Sequence, residues 1–374
     1  MTRNPRLFLS AGDTSGDQHA ARLVRCLRER IPNLAVEGLG GPELIDEGVK
    51  LHADLVSHAI IGFGPAIQAA PKLLGLLRRV AGALDKRRPD VVVLVDYPGF
   101  NLFVARLAKK RGIPVVYFVA PQLWAWAPWR VKRFARVVDE AHVIFPFEEA
   151  FFGAAGIETH WVGHPLIDGL PSEPPVLPAI ADLPRPVALL PGSRRREVRA
   201  HMTLLLRTAR ALKERHPDTS FHTAHVSSEE RANMARAAEE AGIDLQIHGD
   251  QVHEVMASCR CALVASGTAT LETAVLGTPL VVFYRITPTE NQMRKVLLVP
   301  PFIGQVNLVS GREITPELLL TDEDPQPLIE AIEPLLTDTE AWTKQRKDIS
   351  ELRSQSLERG AIERAAELLA PRFQ

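Results

Sequence analysis

Cysteine is scarce in this sequence: Cys26, Cys259 and Cys261 are the only ones in 374 residues. An odd count without a Cys-x-x-Cys pair excludes a disulfide framework and a zinc knuckle, so buried free thiols are expected. Long apolar runs are missing as well. No window approaches the roughly 18 uninterrupted apolar residues of a spanning helix, and the run Leu7–Leu9 is too short for a signal-peptide core. The expected setting is the cytoplasm, with any membrane contact peripheral. Excess charge is absent too. The 44 Lys and Arg are balanced by 45 Asp and Glu, which leaves no overall pull towards nucleic acid. The 12 histidines are scattered without ligand spacing, and no Asp-x-Asp follows any strand candidate, so no metal and no cofactor are expected.

What is present is an ordinary globular composition, 46% hydrophobic and 24% charged, in a chain long enough for two domains. Short apolar runs alternate with helical stretches. Arg6–Ser10 is a strand candidate, followed by a Gly-rich loop and a helix from about His19 to Arg30. Val91–Val95 is a strand bounded by Pro89 and Asp96, ahead of a helix at Phe100–Arg111, and further strands are expected at Val115–Val119 and Val143–Phe145. Continuous apolar strands between helices are what a parallel sheet covered on both faces requires. Residues 166–186 are Pro-rich and read as a linker, after which the rhythm restarts. Strands are expected at Val187–Leu190, Phe221–Val226, Ala262–Ala265 and Pro279–Tyr284, with a long helix at Arg196–Arg215. The expectation is α/β: a first Rossmann-like, doubly wound domain over 1–165 and a second over 187–345. The charged helical stretch 346–374 is free to pack back on the first.

Two segments carry phosphate chemistry. At Ser266-Gly267-Thr268-Ala269-Thr270-Leu271-Glu272 a strand ends, small polar residues turn the chain and a helix begins. Gly267 lets a ligand approach the backbone, the helix N-terminus favours an anion, and the hydroxyls of Ser266, Thr268 and Thr270 offer further donors. Glu272 stands one turn in, placed to accept from ribose hydroxyls. A Ser/Thr-capped helix explains the same residues without a ligand. Pro191-Gly192-Ser193-Arg194 opens a second such turn, with Arg195, Arg196 and Arg199 behind it. Basic residues in a first helical turn oppose the helix dipole unless an anion sits nearby, and the Arg194 guanidinium suits a phosphate. Neither segment is a Walker A loop or a Gly-x-Gly-x-x-Gly fingerprint, so ATP hydrolysis and a nicotinamide are disfavoured.

In the first half, Asp96 follows the strand Val91–Val95, where open α/β sheets keep reactive groups; partial desolvation there would raise its basicity for general-base work. A turn aspartate ahead of Pro98 is the plain alternative. Gly12, Asp13, Ser15, Gly16 and Asp17 form a Gly-rich loop on which an acceptor phosphate could rest, although a helix cap explains it almost as well. Pro121-Gln122-Leu123-Trp124-Ala125-Trp126 begins a stretch holding three of the five tryptophans, next to Arg130, Lys132 and Arg133. It reads either as core or as an acceptor-side, lipid-facing surface, as does the apolar stretch 60–83.

Together these segments resemble the lipid-A-disaccharide synthase family over nearly the whole chain. The resemblance rests on Ala11–Asp17, Gly40-Gly41-Pro42, Asp96–Asn101, Pro121–Trp126, Phe145-Pro146-Phe147-Glu148, Val162-Gly163-His164, Pro191–Arg194, Ser266–Glu272 and Asn307 ahead of Gly311-Arg312. It implies a GT-B fold, two Rossmann-like domains with a cleft between them, working without metal. It implies an inverting transfer from UDP-2,3-diacylglucosamine to 2,3-diacylglucosamine 1-phosphate at the inner-membrane surface, in a peripheral and cytoplasmic enzyme, with a homodimer as one candidate assembly. Asp96 then matches the family's base, and Gly192, Ser193, Arg194, Ser266, Gly267, Thr268, Thr270, Glu272 and Asn307 form the donor side. Gly62-Phe63-Gly64-Pro65 lacks the family's usual glutamate, Gly99 stands where many members have an acid, and Ala127 stands where Arg is usual. All three departures lie on the acceptor side. The readings left standing beside this one are another UDP-sugar enzyme with a different acceptor and an inactive lipid- or nucleotide-sugar-binding homologue.

Overall fold

The computed structural model describes residues 4–56, 66–287 and 302–373, with side chains except at 66–72, 126, 181 and 356. The chain divides into two compact units, Met1–Asp168 with Glu358–Gln374, and Gly169–Leu357.

In the first unit seven strands run parallel: β1 (Arg6–Ala11), β2 (Ala35–Gly40), β3 (Lys50–Asp54), β4 (Val91–Val95), β5 (Val115–Phe118), β6 (Glu140–Val143) and β7 (Glu158–Trp161). Their order is β3-β2-β1-β4-β5-β6-β7. The central strands are those the sequence marks most clearly. Every residue of β4 is buried, as covering by helices on both faces demands. The outer strands β2, β3 and β7 carry Glu, Lys, His and Asp and leave no apolar run to detect. β6 ends at Val143, two residues short of the expected Phe145, because Phe145 N-caps the helix Pro146–Gly153. The helix Thr14–Arg30 starts five residues earlier than expected: the Asp13 carboxylate accepts from Gly16 N at 2.6 Å and caps it. Its buried face, Ala20, Leu23, Val24 and Leu27, follows the helical period onto the sheet.

The C-terminal stretch is two helices rather than one. Thr339–Ser356 stays with the second unit, and the chain breaks over Leu357–Gly360, where Gly360 takes φ +91°. Asp168 accepts from Gly360 N at 2.7 Å and Ile362 N at 2.9 Å. The helix Ala361–Leu369 then buries Ile362, Ala365, Ala366 and Leu369 in the same core cluster as the Thr14–Arg30 helix.

The second unit repeats the plan with β8 (Arg185–Leu190), β9 (Thr219–Thr223), β10 (Leu245–Ile247), β11 (Cys261–Ala265), β12 (Leu280–Arg285) and β13 (Glu317–Leu320). The order is β10-β9-β8-β11-β12-β13, all parallel. β8 begins at Arg185, so the segment expected as linker already contributes two strand residues, Arg185 and Pro186, and holds most of the short helix Pro165–Gly169 and all of Pro178–Ala181. β13, missed in the sequence, places Asp322-Glu323-Asp324 just after a strand, so an Asp-x-Asp does occur in that position. Its side chains serve the turn: Asp322 accepts from Asp324 N, Asp324 from Gln326 N, and Glu323 pairs with Arg207 and Arg285. All three cysteines are buried free thiols. No helix among the described residues is long and apolar enough to cross a membrane.

Candidate active site

In each sheet the chain reverses its direction of strand addition once, and ligands of open α/β sheets bind beyond the carboxyl ends of the strands at that point. In the first sheet the reversal lies between β1 and β4, whose last residues, Ala11 and Val95, are register partners. The segment Gly12–Asp17, a short turn and the first residues of the Thr14–Arg30 helix, and Asp96 therefore emerge side by side. Asp96 and Tyr97 both take left-handed conformations, φ +43° and +49°. Such positions cost of order 1–3 kcal/mol each for ordinary residues and persist only where the surroundings enforce them. Here the Asp96 carbonyl accepts from Tyr117 Oη at 2.6 Å and from Asn101 Nδ2 at 2.8 Å. Asn101 is fully buried and is itself held by the Ser10 hydroxyl, which donates to Oδ1 at 2.7 Å. Gly12 is required beneath Tyr97: a Cβ there would lie 2.1 Å from the Tyr97 ring.

The strained turn leaves the Asp96 carboxyl partly buried. Burial first, and the Asp13 carboxylate second, push it from its ordinary 3.8 up to about 6. It lines a pocket of about 290 Å³ with Pro98, Val119, Ala120, Pro121, Gln122 and Ile144. Val119 is a third residue of positive φ, +57°, an outlier for a β-branched side chain. Of the five such non-glycine residues among those described, three thus stand at the ends of β4 and β5.

The other acceptor-side candidates fall into different roles. Ser15 is exposed and donates to Asp13 Oδ1 at 3.3 Å. Asp17 corrects the sequence expectation. It is 1% exposed and clasps the next loop, accepting from Gly41 N at 2.7 Å and Glu43 N at 3.0 Å, so it does not present a carboxylate to a ligand. Gly16 is buried, and an added Cβ would sit 2.8 Å from Asp13 Oδ1. Trp124 donates its Nε1–H to Glu148 Oε1 at 2.7 Å and meets Phe147 edge-on at 4.8 Å. Trp126 ends the short helix Leu123–Trp126, and its side chain lies outside those described. Ala127 is buried, whereas Gly99 is exposed with open space where a side chain would stand. Pro65 and the segment before it lie outside the described residues.

In the second sheet the reversal lies between β8 and β11, and Leu190 is the register partner of Val264. The two segments expected to carry phosphate chemistry, 74 residues apart in sequence, are thereby brought to one edge (Gly192 and Ser266). Gly267 takes φ +155° with ψ −166°, a region open essentially to glycine alone, and the helix Thr268–Val275 starts there with no side-chain cap. Gly267 and Thr268 at that start are exposed, the arrangement that lets a helix N-terminus meet an anion. Glu272 is half-buried one turn later, and burial raises its carboxyl. Gly192 takes φ +112° against the Glu197 carboxylate, which accepts from Ser193 N at 3.2 Å and Arg194 N at 3.3 Å. Arg194 pairs with the same Glu197 at 2.8 Å, yet its side chain is 80% exposed.

Three donor-side expectations need correction. The Ser266 hydroxyl donates to the Ile303 carbonyl at 2.7 Å and that of Thr270 to the Gly267 carbonyl at 2.8 Å, so neither proton is free for a ligand. Asn307 is fully buried. Its Nδ2 donates to the Thr315 carbonyl and Glu317 Oε1, and its Oδ1 accepts from Ile314 N and Thr315 N. Glu317 in turn accepts from Ile303 N and Gly304 N, so Asn307 is tied to that loop. Sequence reasoning missed Glu197 and the Asn101 clasp. Their signals were a Glu three residues after the N-cap position Arg194, and an amide inside the Asp96 motif that no cap explains. Among the described residues no group of three or more His, Cys, Asp or Glu is gathered as a metal ion would require.

This arrangement has known relatives. The family model described as Lipid-A-disaccharide synthetase matches residues 7–371. The lipid-A-disaccharide synthase of Myxococcus xanthus is 35% identical over 373 residues, 98% of this chain and 97% of the relative. That of Geobacter sulfurreducens is 34% identical over the same length and shares. Among solved structures, a putative UDP-N-acetylglucosamine 2-epimerase from Listeria monocytogenes superposes with TM-score 0.65 at 14% identity, covering 99% of this chain and 97% of the other. The glycotransferase of kitacinnamycin superposes with TM-score 0.62 at 15% identity, covering 100% of both chains. At those identities the structural likeness establishes the fold, a pair of Rossmann-like units of GT-B type. The sequence relatives go further: the chain belongs to the lipid-A-disaccharide synthase family, the glycosyltransferases of lipid A biosynthesis.

Proposed function

We propose that this glycosyltransferase joins UDP-2,3-diacylglucosamine to 2,3-diacylglucosamine 1-phosphate, giving a β-1,6-linked disaccharide 1-phosphate and UDP. Asp96 takes the proton of the acceptor 6-hydroxyl. The oxygen attacks C1 of the donor sugar opposite the diphosphate, the C1–O bond breaks with its electron pair leaving on UDP, and the configuration inverts. The observation that carries this reading is the Asp96 carboxyl, held in a strained turn within a pocket and pushed to about 6. A base with that value is ionised near neutrality yet more basic than a solvated aspartate.

On the donor side, Gly192, Ser193 and Arg194 with Gly267 and Thr268 hold the diphosphate, and Glu272 receives the ribose. The uncapped start of the Thr268–Val275 helix meets the charge that develops on departing UDP, so the reading calls for no metal. Acylated substrates bring the enzyme to the inner-membrane surface as a peripheral protein, and Leu74, Trp129 and Phe147 expose apolar surface in the acceptor unit. The test is UDP release from the purified protein with donor alone and with donor plus acceptor, in detergent and EDTA. Acceptor-dependent release with a new disaccharide is expected. Release that ignores the acceptor, or that EDTA abolishes, would count against this reading.

A further inference from the structure

Glu148 is fully buried and has no part in the chemistry above. A glutamate at this helix position often caps its own helix through the backbone of the N-cap residue, and Glu148 does so, accepting from Phe145 N at 2.9 Å. Capping alone does not require a carboxylate to leave water completely, a costly act for a charged group. Glu148 collects two further donors. Oε2 also accepts from Ile144 N at 3.0 Å, and Oε1 accepts from Trp124 Nε1 at 2.7 Å. These donors belong to two different segments, the one after β5 that includes the short helix Leu123–Trp126 and the turn after β6. The first carries Gln122 and the second Ile144, and both residues are walls of the pocket around Asp96. The Trp124 ring is further fixed edge-on by Phe145 at 6.3 Å and Phe147 at 4.8 Å. Burial pushes the Glu148 carboxyl up to about 7, which marks how far it is removed from solvent.

We propose that Glu148 is a positioning residue for the acceptor, a clamp that ties the Gln122–Trp124 segment to Ile144 and so sets the width of the pocket that presents the acceptor hydroxyl to Asp96. The inference rests on the acceptor reading given above. Glu148 transfers no proton; it holds two walls at a fixed separation.

Glu148→Gln separates the clamp from the cap. If the amide oxygen continues to accept from Ile144 and Phe145, the amide NH2 faces the Trp124 N–H, donor against donor, and that bond is lost. Trp124→Phe removes the same bond from the other side. Each variant is expected to raise the acceptor KM about tenfold, the scale of one buried hydrogen bond. The donor KM and UDP affinity should stay unchanged, and the double variant should be no worse than the poorer single one, since both break one interaction. If Glu148→Gln does not fold, Trp124→Phe carries the test. An unchanged acceptor KM in the folded variants, whether kcat or thermal stability falls or not, overturns the inference alone. Absence of acceptor-dependent UDP release from the unaltered enzyme overturns the acceptor reading, and this inference with it.

Discussion

At the C-terminal edge of the first sheet the groups are acidic, half-buried and held in strained backbone, whereas at the same edge of the second they are small, glycine-rich and open. Asp96, Tyr97 and Val119 take positive φ under the hold of Asn101 and Tyr117, and Asp13 stands close enough to Asp96 to raise it. Gly192 and Gly267 take positive φ without a side-chain penalty, beside an exposed Arg194 and an uncapped helix start. On the proposed function, the same doubly wound plan is tuned in two directions. A base needs removal from water, which costs stability; a diphosphate needs backbone N–H groups it can approach, which costs little beyond glycine.

The largest effect should come from the strained edge. Asp96→Asn is expected to lower turnover by roughly 10²–10⁴-fold, the usual worth of a general base, while calorimetry shows UDP binding unchanged. The same variant should be more stable than the unaltered protein. Because the folded pKa lies above the ordinary value, the charged carboxylate is the penalised form. The penalty is absent below pH 3.8, grows as pH rises to about 6 and is constant above it. Urea unfolding near pH 8 should therefore show a gain on the order of 3 kcal/mol at most, one that vanishes in acid.

Substitutions at the open edge should be milder and should fall on the donor. Gly267→Ala forces a side chain into backbone that costs ~1–3 kcal/mol, so the donor KM should rise by about 10- to 100-fold with the acceptor KM unmoved. Arg194→Lys loses the planar fork but keeps the charge, and a donor KM about tenfold higher with unchanged thermal stability is expected. A rise in acceptor KM in either would break the division of labour between the two edges. The smallest effect is a shift rather than a loss. Asp13→Asn keeps the helix cap and removes the like charge beside Asp96, so the acid limb of kcat/KM should move to lower pH.

The sequence showed the buried strands and both pairs of segments because parallel strands covered on two faces must be apolar throughout, and because ligand loops need Gly and small residues. Val91–Val95 and Cys261–Ala265 are of this kind, each fully buried. Lys50–Asp54 and Glu158–Trp161 at the sheet's edges carry no such signature. Segment spacing could not tell a ligand-facing polar group from one consumed by the fold. Asp17, Ser266, Thr270 and Asn307 look like site residues in sequence, yet the Asp17 carboxylate, the Ser266 and Thr270 hydroxyl protons and the Asn307 amide all bond within the chain. The packing of the last helix on the first unit was anticipated, but the break before it was read through: Gly360, at φ +91°, is the stop signal inside an otherwise charged, helix-forming stretch.

The most direct test of the account is the pH dependence of kcat/KM for acceptor-dependent UDP release between pH 4.5 and 8. An acid limb with its midpoint at about 6 is expected, the value at which burial and Asp13 place the Asp96 carboxyl. A rate that stays flat down to pH 4.5, as a solvated aspartate near 3.8 would give, would contradict it.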